Sequence, residues 1–219
     1  MKSYRKFLLF ILITFALSIK VYPYQNVKVG IIKYRGGDWY SCIKGVKNFL
    51  NHLTIKTPIK CAQNPVVINP AKSELFKYPF VIINGHGKIL LNNIEKVMIK
   101  KYLLNGGFLL ANDDFGMDKH FKKLIKELFP GNKLIPLPIE HSIFKSFYKF
   151  KSIPKIHKHS GKKPVFYGLF INKRLSVLYI YESDIIDGWE KPGVHNLPLI
   201  KRQTAIKFGI NIFYYVLSG

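Results

Sequence analysis

Along the chain, short apolar runs of strand character alternate with longer stretches whose apolar positions recur every three or four residues. Residues 27–34 are rich in β-branched side chains and give way to the turn Arg35-Gly36-Gly37-Asp38-Trp39-Tyr40, so a strand followed by a polar loop is predicted. Ile43, Val46, Phe49, Leu50 and Leu53 then repeat at helical spacing, which sets one inward face. A short strand follows at Val66-Val67-Ile68, and a second apolar run at Phe80-Val81-Ile82-Ile83, between Pro79 and Asn84-Gly85-His86-Gly87. Four consecutive apolar residues suit a central strand buried on both faces. Asn92 or Asn93 caps a helix that reaches Leu104 and stops at Asn105-Gly106-Gly107. Phe108-Leu109-Leu110-Ala111 is the next buried strand, ending at Asn112-Asp113-Asp114, and a helix is predicted over 119–129, before Pro130-Gly131.

Alternating strands and helices with right-handed crossovers predict an α/β fold, a mostly parallel sheet with helices on both faces. The pattern changes at residues 165–171 and 175–181, two β-rich runs joined by Asn172-Lys173-Arg174, which predict a C-terminal antiparallel hairpin on the sheet or beside it. A broad apolar face over 199–217 predicts a closing helix. No linker or repeat interrupts residues 19–219, which are read as one domain.

At the N-terminus, Lys2, Arg5 and Lys6 precede an apolar run over 7–17. That run is short for a membrane span and suits a signal peptide over residues 1–18, with Ala16 and Ser18 at the small positions before the cut. The expectation is an exported protein, periplasmic or extracellular. An uncleaved N-terminal membrane anchor is the other reading, since Ile19, Val21 and Tyr22 continue the apolar character.

Of 219 residues, 48% are apolar, which provides for a core and excludes disorder. The net charge of +23 invites a nucleic-acid reading. Yet the arginines are only Arg5, Arg35, Arg174 and Arg202, and the lysines are scattered. Bidentate phosphate and guanine recognition favours Arg, so no specific nucleic-acid partner is expected; peripheral membrane contact through lysines remains open. The cysteines, Cys42 and Cys61, lie in no ligand spacing, and no metal class or cofactor is indicated by spacing alone.

Parallel topology collects the strand ends on one edge, where such sheets bind ligands. The candidates there are Asp38, Trp39, Tyr40, His86, Asp113 and Asp114. Adjacent carboxylates repel, and a cation, a lysine or a shared proton relieves the cost. Glu182, Asp184, Asp187 and Glu190, beside Trp189, place a third of the chain's 12 acidic residues after the hairpin. His141 is a further candidate, whereas His157-Lys158-His159 falls in a Lys- and Pro-rich loop and reads as solvated.

Several of these segments occur in the order found in a bacterial family. Gly36-Gly37-Asp38-Trp39-Tyr40, Tyr78-Pro79-Phe80 leading to Gly85-His86-Gly87, Gly106-Gly107-Phe108-Leu109, Asp113-Asp114, His141-Ser142-Ile143-Phe144 and Gly188-Trp189-Glu190 resemble the domain of unknown function 4159 family over residues 27–215. The resemblance implies a flavodoxin-like sheet of the class I glutamine amidotransferase-like kind and no established activity. The elbow in which such amidotransferases carry their nucleophile would fall at Leu110-Ala111-Asn112-Asp113-Asp114, which has neither Cys nor Ser, and no His-Pro-Glu follows the hairpin. Thiolate chemistry is therefore not expected. Two functions stay open. One is an envelope domain binding a polar small molecule, a glycan or an envelope protein in the strand-end cleft. The other is a hydrolase using carboxylates and histidine, metal-assisted or not.

Overall fold

A computed structural model describes residues 26–218; the signal-peptide and anchor readings lie outside them. It is an α/β fold around a seven-stranded mixed sheet. The strands are β1 (Val29–Ile32), β2 (Val66–Ile68), β3 (Phe80–His86), β4 (Phe108–Phe115), β5 (Ile135–Pro136), β6 (Val165–Ile171) and β7 (Arg174–Tyr181). Their order is β2-β1-β3-β4-β7-β6-β5. The first five in that order run parallel, while β6 is antiparallel to β7 and β5 to β6. The hairpin therefore belongs to the sheet, with β7 seated directly beside β4.

The helices are α1 (Ile43–Lys56), α2 (Asn93–Leu104), α3 (Asp118–Leu128), α4 (Ile185–Trp189) and α5 (Leu199–Ser218). Strand alternation divides the core in two. Phe80, Ile82, Phe108 and Leu110 pack with Phe49, Trp189 and Phe213 of α1, α4 and α5. Val81, Ile83, Leu109 and Ala111 face Ile99, Tyr102, Phe121 and Ile125 of α2 and α3. Residues of opposite parity on a strand point to opposite faces, so apolar runs without alternation make a sheet covered on both sides. α2 starts with a capping box in which the Asn92 side chain and Glu95 each accept the other's backbone N–H. Arg35 clamps the Glu95 carboxylate with two nitrogens at 3.0 and 3.1 Å.

The hairpin turn places Asn172 and Lys173 at positive φ, so Arg174 already belongs to β7. Two elements carried no periodic signal: the two-residue β5, and α4, five residues buried throughout. No helix among the described residues is long and apolar enough to cross a membrane.

Candidate functional site at the strand ends

The carboxyl ends of β1, β3, β4 and β7 converge on one edge, and four loops close over it. Two glycines permit the approach. A Cβ on Gly37 would lie 2.5 Å from the His86 carbonyl oxygen. Gly85, at φ +138°, would bring a Cβ within 2.4 Å of the Tyr34 hydroxyl and 2.9 Å of Asp38 Oδ1. The Tyr34 hydroxyl donates to the Asn84 carbonyl (2.9 Å), fixing the end of β3.

The resulting cleft has a volume of about 210 Å³. Its carboxylates are Asp114, Asp184, Asp187 and Glu190, its imidazoles are His86, His157, His159 and His195, and among the described residues no lysine or arginine lines it. Four of the chain's seven histidines are therefore gathered in one place.

β4 supplies Asn112 and Asp114 to one face and Asp113 to the other. A bulge sets Gly85 opposite Asp113 and His86 opposite Phe115, and the two carboxylates turn to different partners, which corrects the expectation of a joint Asp113–Asp114 site in the cleft. Asp113 accepts from the Met117 N–H (2.9 Å) and the Tyr179 hydroxyl (3.2 Å), tying down the entry to α3. Asp114 turns into the cleft, with Oδ2 3.3 Å from His86 Nδ1 and Oδ1 3.7 Å from His159 Nε2. Asp38 holds His86 from the β1 loop: Oδ1 accepts the His86 backbone N–H (2.6 Å) and Oδ2 lies 2.9 Å from Nδ1. Those contacts outweigh partial burial and keep the Asp38 carboxyl below its ordinary range.

Asp184 follows β7 and is 1% exposed. Its Oδ1 accepts from the Ile186 and Asp187 N–H groups (2.9 and 3.0 Å) and from Asn112 Nδ2 (2.9 Å), while the Asn112 Oδ1 accepts from the Ile185 N–H. The Asn84 amide lies against that of Asn112, 2.6 Å away. Asp187, one turn on, hydrogen-bonds His157 Nδ1 through Oδ2 and lies 3.1 Å from His195 Nε2 through Oδ1.

The histidine loop is stitched to the chain after β7. Glu182, at φ +56°, accepts from the Ser160 N–H and hydroxyl. The Ser183 hydroxyl donates to the Pro154 carbonyl and accepts from the Ile156 N–H, and the Asp184 N–H donates to the His157 carbonyl. A non-glycine residue held at positive φ costs about 1–3 kcal/mol and persists only where its surroundings fix it. Here they fix His157 and His159 against the carboxylates. The solvated reading of that loop is corrected accordingly.

The electrostatics follow from burial. Desolvation, and then Asp184, push the Asp114 carboxyl up to about 9. Burial and Asp184 also raise Asp187, against the pull of His157 and His195. Burial opposes ionisation of Asp184 too, but His159 and the N–H donors on its Oδ1 hold it below its ordinary value. The surroundings thus favour the protonated form at Asp114 and the charged form at Asp184. His159 is raised, chiefly by Asp184. Its Nε2 is buried with no hydrogen-bond partner, 3.6 Å from Asp184 Oδ2 and 4.0 Å from Asp187 Oδ2.

Two sets of side chains each bring one donor atom per residue within 4.8 Å of all the others: His157, Asp187 and His195, and Asp114, His159, Asp184 and Asp187. Asp187 belongs to both.

Of the residues singled out in the sequence, His86, Asp114, Asp184, Asp187 and Glu190 line the cleft and Asp38 supports it from behind. Trp39, Tyr40, Trp189 and His141 lie elsewhere. Trp189 is fully buried, stacked on Phe49 at 4.2 Å, with its indole N–H on the Ala205 carbonyl. Trp39 packs partly against the core and Tyr40 is exposed beside it. His141 caps the turn at Ser142–Phe144 and contacts the rings of Phe170 and Tyr215. Cys42 and Cys61 are free thiols; Cys42 lies at the cleft wall, where burial raises it far out of the thiolate range.

The fold and the cleft define an α/β protein with a mixed imidazole–carboxylate centre at the edge of a parallel sheet. A family model described as domain of unknown function (DUF4159) matches residues 28–217, and the chain belongs to that family. No curated protein matches it.

Proposed function

We propose that the strand-end cleft is a divalent-metal centre that carries out hydrolysis. The observation behind this reading is Asp187, which belongs both to a set with two histidines and to a set with two carboxylates and a histidine, in a cleft that no described lysine or arginine lines although the chain is rich in lysine. Clustered carboxylates with only imidazoles, and no lysine or arginine, beside them are costly unless a cation joins them. The Nε2 of His159, buried without a hydrogen bond and facing the carboxylates of Asp114, Asp184 and Asp187, supports the same reading, because an ion bound among them would displace its proton and take the nitrogen as a ligand.

Mixed nitrogen and oxygen donors suit Zn²⁺, Mn²⁺ or Fe²⁺. His157, Asp187 and His195 would hold one ion; Asp114, His159 and Asp184 would hold a second, with Asp187 between them. A protein that supplies three ligands leaves a position for water, whose pKa a bound ion lowers to about 7. His86, oriented by Asp38 and half-exposed at the rim, is positioned to move a proton to or from a water or leaving group. A cleft of about 210 Å³ admits a small polar group or the tip of a larger substrate.

The strand order supports a flavodoxin-like, amidotransferase-like fold: the five parallel strands, renumbered in sequence, run 2-1-3-4-5, and ligands in such sheets bind at this edge. Glutaminase chemistry gains no support, since neither thiol is placed or ionised for it. We read the protein as exported, on its N-terminal pattern alone.

Metal-stripped protein should regain turnover of one class in a panel of small esters, phosphoesters and amides when Mn²⁺ or Zn²⁺ is added, and lose it in Asp187→Asn. Metal binding without turnover would leave the cleft a binding site for a small polar ligand; absence of binding would end the metal reading.

A further inference from the structure

A second concave surface lies between residues 148–155 and the first turns of α5, with a volume of about 470 Å³. Lys149, Lys151, Lys155, Lys201 and Lys207 line it, and no Asp or Glu does. Lys201 donates to the Ile156 carbonyl (2.8 Å) and Lys207 lies over the Tyr148 ring; none of the five makes an ion pair among the described residues. On α3, by contrast, Lys122 pairs with Asp118 and Lys123 with Glu127. An adjoining hollow shares Tyr148 and Lys207 and adds Lys56 and Arg202, again without a carboxylate.

The rim of this basic surface is apolar. Leu199 and Ile200 are 65% and 67% exposed at the start of α5, one lining each hollow, and Phe147 stands exposed nearby. Two adjacent bare aliphatics cost free energy in water and gain nothing from a soluble polyanion. They gain on entering a lipid interface, where unpaired lysines beside them meet headgroup phosphates.

We propose that this groove is a docking surface for a bilayer carrying anionic phospholipid, with the lysines over the phosphates and Leu199 and Ile200 inserted among the headgroups. The proposal stands apart from the metal centre. It turns diffuse attraction through scattered lysines into one face with a defined orientation.

Co-sedimentation of the full chain with vesicles of phosphatidylcholine, with and without phosphatidylglycerol, tests it. Binding should require the anionic lipid and fall steeply with salt. Lys149→Gln/Lys151→Gln/Lys155→Gln should lower the partition by about a hundredfold, at about one lysine's share of surface attraction each. Leu199→Ser/Ile200→Ser should weaken binding about tenfold or more with an unchanged salt dependence. Lys119→Gln/Lys123→Gln/Lys126→Gln, on α3, should leave it intact. All three sets of positions are on the surface, and equal melting temperatures verify the fold of each variant. The proposal is overturned if the α3 variant loses as much as the groove variant, if neutral vesicles bind equally well, or if the Leu199/Ile200 variant binds as wild type and soluble polyphosphate alone occupies the groove.

Discussion

Replacing Asp114 by Asn probes the electrostatics of the cleft directly. Burial and the neighbouring Asp184, Asp187 and Asp38 raise the Asp114 carboxyl from 3.8 to about 9. A carboxyl raised on folding contributes stability that is complete below the unfolded value, near pH 4, and is lost progressively as pH rises towards 9. At about pH 7 the shift corresponds to a ceiling of ~4 kcal/mol, at ~1.4 kcal/mol per unit. The cleft admits water, and an effective dielectric nearer 20 than 4 reduces this to about 1–2 kcal/mol. Asn keeps the volume and an oxygen facing Ser41, and it carries no charge to desolvate. In chelator-treated buffer near pH 7, Asp114→Asn should therefore melt about 2–8 °C above wild type, given ~2–4 °C per kcal/mol for a domain of this size. The two should converge near pH 4. Added Mn²⁺ should reverse the order, because saturation at about 100 times Kd stabilises wild type by ~2.7 kcal/mol and the variant by less. Scanning calorimetry across this pH range, with and without the ion, measures all three effects. A variant that melts below wild type at every pH, or a difference that does not grow with pH, would refute the reasoning.

Asp187→Asn removes the ligand common to both groups, and titration calorimetry should record at least about a hundredfold weaker Mn²⁺ or Zn²⁺ binding, beyond the ~10–100-fold typical of supporting residues. Gly85→Ala should cost about 2–4 kcal/mol in urea unfolding, because its φ is positive and its new Cβ would meet Tyr34 and Asp38; a neutral effect would contradict the close approach of β1 and β3. Tyr102→Phe should cost about 1–3 kcal/mol, since its hydroxyl bonds the Tyr78 and Phe108 carbonyls and accepts from the Phe108 N–H at the β3–β4 seam.

The sheet was legible because its helices carry a local period and its central strands are continuous apolar runs. The runs at β3 and β4 are apolar without alternation, and the helices of α1 and α2 show their inward faces and, for α2, a cap. The place of β7 was less legible, since pairing β7 with β4 is a long-range choice no local pattern encodes. The site was legible in part. His86, Asp114 and Glu190 stood out by their polar, glycine-rich or acidic surroundings. The split between Asp113 and Asp114, one residue facing α3 and the other the cleft, falls at a bulge that no local pattern announces. His157, His159 and His195 were hidden because they sit on irregular segments whose positions depend on Glu182, Ser183 and Asp187, side chains reached only through folding. Trp189 shows the opposite error: beside an acidic cluster it resembles a binding platform, yet its ring completes the core against Phe49.

In the proposed centre, Asp187 joins two ligand sets around divalent metal. Anomalous diffraction at the manganese edge, from crystals grown with Mn²⁺, tests it most directly. The proposed centre predicts one or two peaks beside Asp187, within bonding distance of its oxygens and of the facing imidazole nitrogens, and about 3.5–4 Å apart if both sets are filled. Manganese found only at surface carboxylates such as Glu127 or Glu140, with the cleft histidines still hydrogen-bonded to Asp187, would contradict it.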